Sequence, residues 1–419
     1  MKFPFPDVAG SRGPLFLENV ERLLKHGRIH TWLLPLEVLP LVCVFSLSQV
    51  LMSEARAAEL IWSKDEAISG ALTTASVTPN NARSIRVDAS GVVHVVFSGT
   101  IELYHDIFYT RLTSQGWEGP EQVTVSSSAS STPTVAIGKG DNVYVVWSDN
   151  AGGYYDLHLS ARINGEWTPP ENITRDSTFS RSPALCCSGK GVLHLAWEDR
   201  NKEISRILFA SFSGTKWSSP VCLSRRGHDA VAPSIDVGPD GRIHVVWTEE
   251  WKRKKRVIYR EFAGDSWKRP VQLSNRSDSC RRPCISADTT GGIHAVWEHY
   301  ESQSFIVCYR ERKKGKWEGE VRLTDGSSRA FRPVVEALSG SAVHVVWYDD
   351  RWGPTEAVYC GRERERGEHP VPLTQSRSST YFVTMEAAKD ESVHVVFQDK
   401  RRGNYDVYYK RGGPKETSP

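Results

Sequence analysis

The sequence predicts an all-β protein: a seven-bladed β-propeller of four-stranded antiparallel blades, its ring closed by the N-terminal strand completing the last blade. Three observations lead there. One string recurs, as GVVHVVF ending at Phe97, NVYVVW at Trp147, VLHLAW at Trp197, RIHVVW at Trp247, GIHAVW at Trp297, VHVVW at Trp347 and SVHVVF at Phe397, always 50 residues apart. Other columns keep that interval: Trp117, Trp167, Trp217, Trp267 and Trp317; Thr124, Thr174, Ser224, Ser274, Thr324 and Thr374; Pro133, Pro183, Pro233, Pro283 and Pro333. A fixed period of this size marks a repeat architecture. Finally, each interval holds four short runs rich in β-branched and aromatic residues.

The second unit shows the elements in order. Pro133 to Ile137, Asn142 to Ser148, Tyr155 to Ile163 and Trp167 to Thr174 are the four runs. Gly138-Lys139-Gly140-Asp141, then Asp149 to Gly153, then Asn164-Gly165 separate them as turn signals. No run has a helical period. Four antiparallel strands repeated seven times make a propeller. The HVVW strand is apolar throughout, as a strand covered on both faces must be. Its terminal Trp or Phe should wedge between adjacent sheets. The seventh unit stops after three strands, whereas Leu60 to Thr74 supplies a spare fourth-strand copy, so the N-terminal strand should seal the ring.

The recurring HVVW strand, the Y-x-R strand after it and the W-x-x-P-x-x-L-T strand resemble sialidase-like propellers of the BNR or Asp-box type, over about Leu60 to Arg411. The Asp-box turns here read TSQGW, INGEW, SGTKW, AGDSW and KKGKW, and none is a full match. The resemblance implies three arginines on a substrate carboxylate, a Tyr–Glu pair and an Asp acid. Arg181 and Arg281 match the family's Arg two before Pro; Phe331-Arg332-Pro333 lacks the intervening residue. By the same resemblance Tyr381 is the candidate nucleophile, and Glu250, Asp349 or Asp350 the candidate acid or partner. Such sialidases have six blades and this sequence has seven, which changes the angles between these groups.

Residues 1–57 read as a signal peptide or membrane anchor, 58–413 as the propeller and 414–419 as a disordered tail. Lys25, His26 and Arg28 precede an apolar run, Leu39 to Met52, followed by Ala55-Arg56-Ala57. The run is shorter than the roughly 20 residues a spanning helix needs. The expected location is therefore secreted, periplasmic or cell-envelope, with membrane contact only through an uncleaved N-terminal segment. A net charge of +3 is too small for a nucleic-acid binder. Cys186, Cys187, Cys222, Cys280, Cys284, Cys308 and Cys360 form no CxxC pair. Most are expected to be small buried strand residues, and neither a metal site nor a cofactor is expected.

A residue present in nearly every copy serves the blade; one present once is free for selective chemistry. His94, His194, His244, His294, His344 and His394 are therefore scaffold, as are Asp149, Asp199, Asp349 and Asp399, which should fix the following turn. The loops after strand two and before strand one open on one face. On it, the residue two before each Pro position is unlike its equivalents: Asn81, Ser131, Arg181, Val231, Arg281, Phe331 and Tyr381. Arg282 and Arg332 stand one place further in. Loops entering strand one carry ten Lys/Arg against four Asp/Glu, so this mouth should attract anions. Arg offers a planar fork for carboxylate or sulfate. Trp251, Tyr300 and Trp352 are expected on outer loops of the same face, where they could stack on sugars.

Three functions follow as expectations. One is a secreted propeller binding an anionic carbohydrate or an acidic protein segment at the mouth, with no nucleic-acid partner. Another is an enzyme on acidic sugars, a sialidase-like hydrolase or a uronate lyase with Tyr381 or a nearby His as base. The third is an assembly scaffold using its sides.

Overall fold

The computed structural model describes residues 60–414 apart from 79–81, 102–103, 126–127, 176–177, 202, 276–278, 340–341, 364–365 and 368–369. Residues 1–57, expected from sequence to be a signal peptide or membrane anchor, residues 415–419 of the expected tail, and Asn81 lie outside the described residues. Seven antiparallel sheets follow one another along the chain, each with the strand order expected of a propeller blade. The only helical element among the described residues is a 3-10 turn, Lys139–Asp141. Strand one of blade 5 is Ser279–Ala287, strand two Ile293–Glu301 and strand three Ser304–Lys313. The other blades repeat this plan. Blade 1 divides its first strand into Thr74–Ser76 and Ile85–Val87.

The outermost strand is broken in two in most blades, as Ser266–Trp267 and Val271–Gln272 in blade 4. Pro170, Pro220, Pro270 and Pro370, which have no N–H to give to a ladder, stand at four of these breaks, and Glu320 stands at the same place in blade 5, where the strand is broken as well. The Thr/Ser column just beyond the break extends the pairing through its side chains. Its hydroxyls accept strand-three N–H groups: Leu157 N to Thr174 Oγ1, Val257 N to Ser274 Oγ and Ala357 N to Thr374 Oγ1, at 3.0–3.1 Å.

The strand-two aromatics are the wedges between blades. Trp147, Trp247, Trp297 and Trp347 are at most 1% exposed. Apolar clusters run across blade boundaries; one joins Val246 and Tyr259 of blade 4 to Ile285 and Trp297 of blade 5. Among the described residues Cys186, Cys280, Cys284, Cys308 and Cys360 are buried, Cys187 is half-buried and Cys222 exposed.

The histidine column is a structural device. Tyr109, Tyr259, Tyr309, Tyr359 and Tyr409 each place a hydroxyl 2.7–2.8 Å from Nδ1 of the histidine 15 residues earlier. Two of these histidines also reach an aspartate, His94 to Asp88 at 3.1 Å and His294 to Asp288 at 3.0 Å. With the proton on Nε2 and the tyrosine donating to Nδ1, a neutral ring is satisfied on both sides.

Blade 7 obtains its outer strand from the start of the propeller. Leu60–Trp62 pairs antiparallel with the end of Asp406–Pro414, Leu60 opposite Pro414, and Glu66–Ala67 pairs with Tyr409 and Tyr408. Pro414, assigned to the tail from sequence, is thus the last paired residue. Blades 1 and 7 also share a cluster in which Phe97 and Phe108 meet Val396 and Tyr409.

Candidate functional site: an arginine and aromatic mouth

The mouth is shaped by a bulge that recurs in strand one. In blades 2 to 7 the register slips between the residue two before the Pro position and the residue after it. The residue at the slip takes positive φ each time: Thr132, Ser182, Ala232, Arg282, Arg332 and Phe382, at 49–55°. A bulge bends the strand and re-aims its side chains. Six copies make it scaffold; the residues carried on it differ from blade to blade.

Opposite the bulge lies the residue after the wedge aromatic. That column reads Ser98, Ser148, Glu198, Thr248, Glu298, Tyr348 and Gln398, and it is as varied as the lip. Cross-strand pairing sets Arg181 against Glu198, Arg281 against Glu298, Phe331 against Tyr348 and Tyr381 against Gln398.

Blades 5 and 6 converge around Glu298, whose side chain is fully buried. Arg281 Nε donates to its Oε2 at 2.6 Å, Arg282 Nη1 at 3.0 Å, and the backbone N–H of Arg332 donates to Oε1 at 2.8 Å. Arg282 N also donates to Thr248 Oγ1 at 3.0 Å. Two guanidinium groups and one backbone N–H thus hold one carboxylate, and the Arg332 guanidinium lies close enough to feel its charge. The Arg332 guanidinium lies 4.7 Å over the Phe382 ring, and its buried Nε has no hydrogen-bond partner. Burial, then the adjacent Arg282 charge, hold its pKa below the usual arginine value. Burial pushes the neighbouring Tyr348 hydroxyl up.

Aromatic rings form the wall. Arg281 sits 4.0 Å over Phe305, which contacts Tyr300 and Phe331. Phe331 stacks on Tyr348, and Tyr348 meets Tyr381 edge-on at 5.7 Å. Below, the channel is plugged by charge. Arg83 of blade 1 crosses it to pair with Glu336 of blade 6 and to donate to Ile285 O at 3.1 Å. Arg86 pairs with Glu386 at 2.7 Å. Sequence reading missed Arg83, Arg86, Glu298 and Tyr348. The signal was present as two further unlike columns, one of them Arg86, Ala136, Cys186, Asp236, Ser286, Glu336 and Glu386.

The remaining candidates fall elsewhere. Arg181 pairs with Glu198 at 2.6 Å in blade 3, so its charge is matched locally. Glu250 lies 3.7 Å from Lys255 on the blade 4 hairpin. Asp349 is fully buried and accepts from Trp347 Nε1 and from Arg351, holding a turn. Asp350 accepts from Arg329 N at 2.8 Å and Nε at 2.6 Å. The structure thus gives all three carboxylates turn or loop partners, and the acid at the mouth is Glu298. Trp251 and Tyr300, expected on loops, end long strands instead. Their hairpins close through Lys252-Arg253 and Ser302-Gln303, with positive φ at both central residues, the mark of a type I′ turn. Trp251 stacks on His228 and carries Lys252 Nζ 4.4 Å over its ring. Trp352, 45% exposed, stands beside Arg351. A separate hollow of about 850 Å³ opens at the opposite face, lined by the strand one–two turns of blades 3, 4 and 5. It holds none of these residues.

No family model and no curated protein matches the sequence. Solved structures do. A polysaccharide lyase PL25 ulvan lyase bound to -[GlcA(1-4)Rha3S]- superposes with a TM-score of 0.62 and 11% identity, covering 84% of this chain and 95% of that one. Polysaccharide lyase Uly1 gives 0.53 and 12%, covering 80% and 90%. An intramolecular trans-sialidase from Ruminococcus gnavus aligns over 86% and 99% at 0.45 and 10% identity. In fold, the chain is a seven-bladed β-propeller like that of the ulvan lyase. At these identities the likeness is one of fold, and glycan-active proteins are among the propellers that share it.

Proposed function

We propose that the propeller binds an anionic glycan at the mouth formed by Arg281, Arg282, Arg332, Tyr348 and Tyr381. The observation that carries this reading is the imbalance around Glu298: two guanidiniums bonded to one carboxylate, the Arg332 guanidinium near them, and a buried Arg332 Nε with no partner. Arg332 bonds the Tyr348 hydroxyl, which leaves its Nε without an acceptor; a buried cationic donor in that state is costly, and a ligand carboxylate or sulfate lowers the cost. The rings of Phe331, Tyr348 and Tyr381 beside the charges suit the face of a sugar better than an extended acidic peptide. The plug of Arg83 and Glu336 keeps the ligand at the rim.

Arg332→Ala is expected to weaken binding of uronate or sulfated oligosaccharides about tenfold or more, the scale of losing a charged hydrogen bond. Glycan-array profiling followed by calorimetry measures it. Unchanged affinity in both Arg332→Ala and Arg281→Ala would remove the mouth as the binding site.

A second reading makes the glycan a substrate, with a uronate cleaved by elimination. It is favoured by the two tyrosines next to the guanidiniums. Arginine would neutralise the uronate carboxylate while Tyr381, as phenolate, takes the C5 proton; the C4–O bond breaks, and the resulting phenol returns the proton to the departing oxygen. Its mark is ultraviolet absorbance from an unsaturated uronate end, appearing with native protein and lost in Tyr381→Phe.

A further inference from the structure

Blade 5 departs from its siblings at four positions that lie close together. Two residues after the wedge aromatic, five of the other blades carry an acid: Asp149, Asp199, Glu249, Asp349 and Asp399; blade 5 carries His299. In strand one, where the siblings have Ser130, Ser180, Ala230, Ala330 and Thr380, it has Cys280. In strand three, where they have Phe108, His158, Leu208, Ile258, Val358 and Tyr408, it has Cys308. In the proline column of the outer strand, Pro120, Pro170, Pro220, Pro270 and Pro370 give way to Glu320. In the siblings the acid ties down local hydroxyls, as Asp149 accepts from Ser130 at 2.6 Å and Asp399 from Thr380 at 2.9 Å. Blade 5 has exchanged that node for imidazole, thiol and carboxylate.

Sheet geometry brings the four to one face. Cys280 lies directly across the ladder from His299, and Cys308 is opposite Trp297, diagonal to His299. Ligand atoms of His299, Cys308 and Glu320 all lie within 4.8 Å of one another, and Cys308 Sγ is 3.9 Å from His299 Nδ1. Nitrogen and sulfur on a tetrahedral zinc are about 3.6 Å apart. His299, Cys308 and Cys280 are buried, and Glu320 Oε2 is buried with no hydrogen-bond partner. A carboxylate oxygen in that state is costly unless something positive meets it.

We infer that blade 5 holds a transition-metal ion, bound by His299, Cys308 and Glu320 with Cys280 alongside as a further donor. The donor set of imidazole, thiolate and carboxylate suits zinc. Its role is to fix strand two of this blade. His299 follows Glu298, so the metal anchors the residue that orders Arg281 and Arg282.

The test is metal content, which is read without any glycan. Full-length chain incubated with zinc and desalted is assayed by plasma mass spectrometry; about one equivalent should remain, as a structural site retains its ion. Two variants restore residues the siblings use and so favour the fold: His299→Asp and Glu320→Pro. Each should lose at least nine-tenths of the zinc while keeping a native circular dichroism spectrum. With cobalt, the native chain should show a sulfur-to-metal charge-transfer band that Cys308→Ser lacks. A native chain that retains no zinc, or a Glu320→Pro or Cys308→Ser chain that retains all of it, overturns the inference.

Discussion

A chain beginning at Ile68 should unfold at much lower urea than one beginning at Glu59. The difference is Leu60–Ala67, the outer strand of blade 7. Trp62 meets Tyr359 of blade 6 edge-on at 5.0 Å and lies so close to the Gly412 backbone that a Cβ there would meet its ring at 3.0 Å. Asp65 pairs with Arg401 at 2.6 Å and Lys410 at 2.8 Å. Loss of a large packed aromatic costs about 3 kcal/mol or more, and each ladder hydrogen bond adds about 1. The expected deficit is about 5 kcal/mol or more, with aggregation through the bared edge of Asp406–Pro414. A peptide spanning Glu59 to Ala67, added in trans, should recover part of it. Equal urea midpoints for the two chains would show that this strand contributes nothing to closure.

The seven-fold plan was legible because every blade solves the same problem with the same residues. Trp247 and Trp297 must fill the space between neighbouring sheets, and Ser274 and Thr324 must replace ladder acceptors, so their spacing is the blade spacing. Arg281, Arg282 and Arg332 were legible for the opposite reason, as the places where the copies disagree. Glu298 escaped because it follows the wedge aromatic inside a strand that reads as buried scaffold. Only the bulge brings the Arg332 backbone N–H and the Arg282 side chain to it, and a left-handed Arg leaves no mark in sequence. Glu320 escaped for a related reason. A charged residue near a turn reads as solvated until its proline siblings are set beside it. The carboxylates Glu250, Asp349 and Asp350 came from the expectation that a sialidase-like site keeps its acid on the loops. Here Asp349 serves its own turn, as Asp149 and Asp399 do, whereas Asp199, expected to do the same, is held by Thr178 and Arg206.

Acidification should destabilise the propeller well above the range in which carboxylates titrate. His194, His244, His344 and His394 are buried, and burial brings each pKa down to about 4, against 6.5 for the free side chain. The folded state therefore binds fewer protons than the unfolded state between these values. Stability from these groups is complete above pH 6.5 and is lost as the pH falls toward 4. Each contributes about 2 kcal/mol at pH 5, so four remove on the order of 8 kcal/mol, comparable to the whole stability of an ordinary domain. Asp88, Asp149, Asp288 and Asp399, whose pKa values are lowered in the fold, steepen the loss further down. Calorimetric melts from pH 8 to pH 4.5 should show the melting temperature falling from near pH 6.5. Blade 2 shows how to build a blade without the switch: Tyr144 occupies the histidine position and Leu159 that of the tyrosine partner. Copying it into blade 6 as His344→Tyr with Tyr359→Leu should leave the pH 8 melt within a few degrees and shrink the drop by pH 5 by about a quarter. A native melting temperature that is flat from pH 7 to pH 5 would mean that these rings do not carry the acid response.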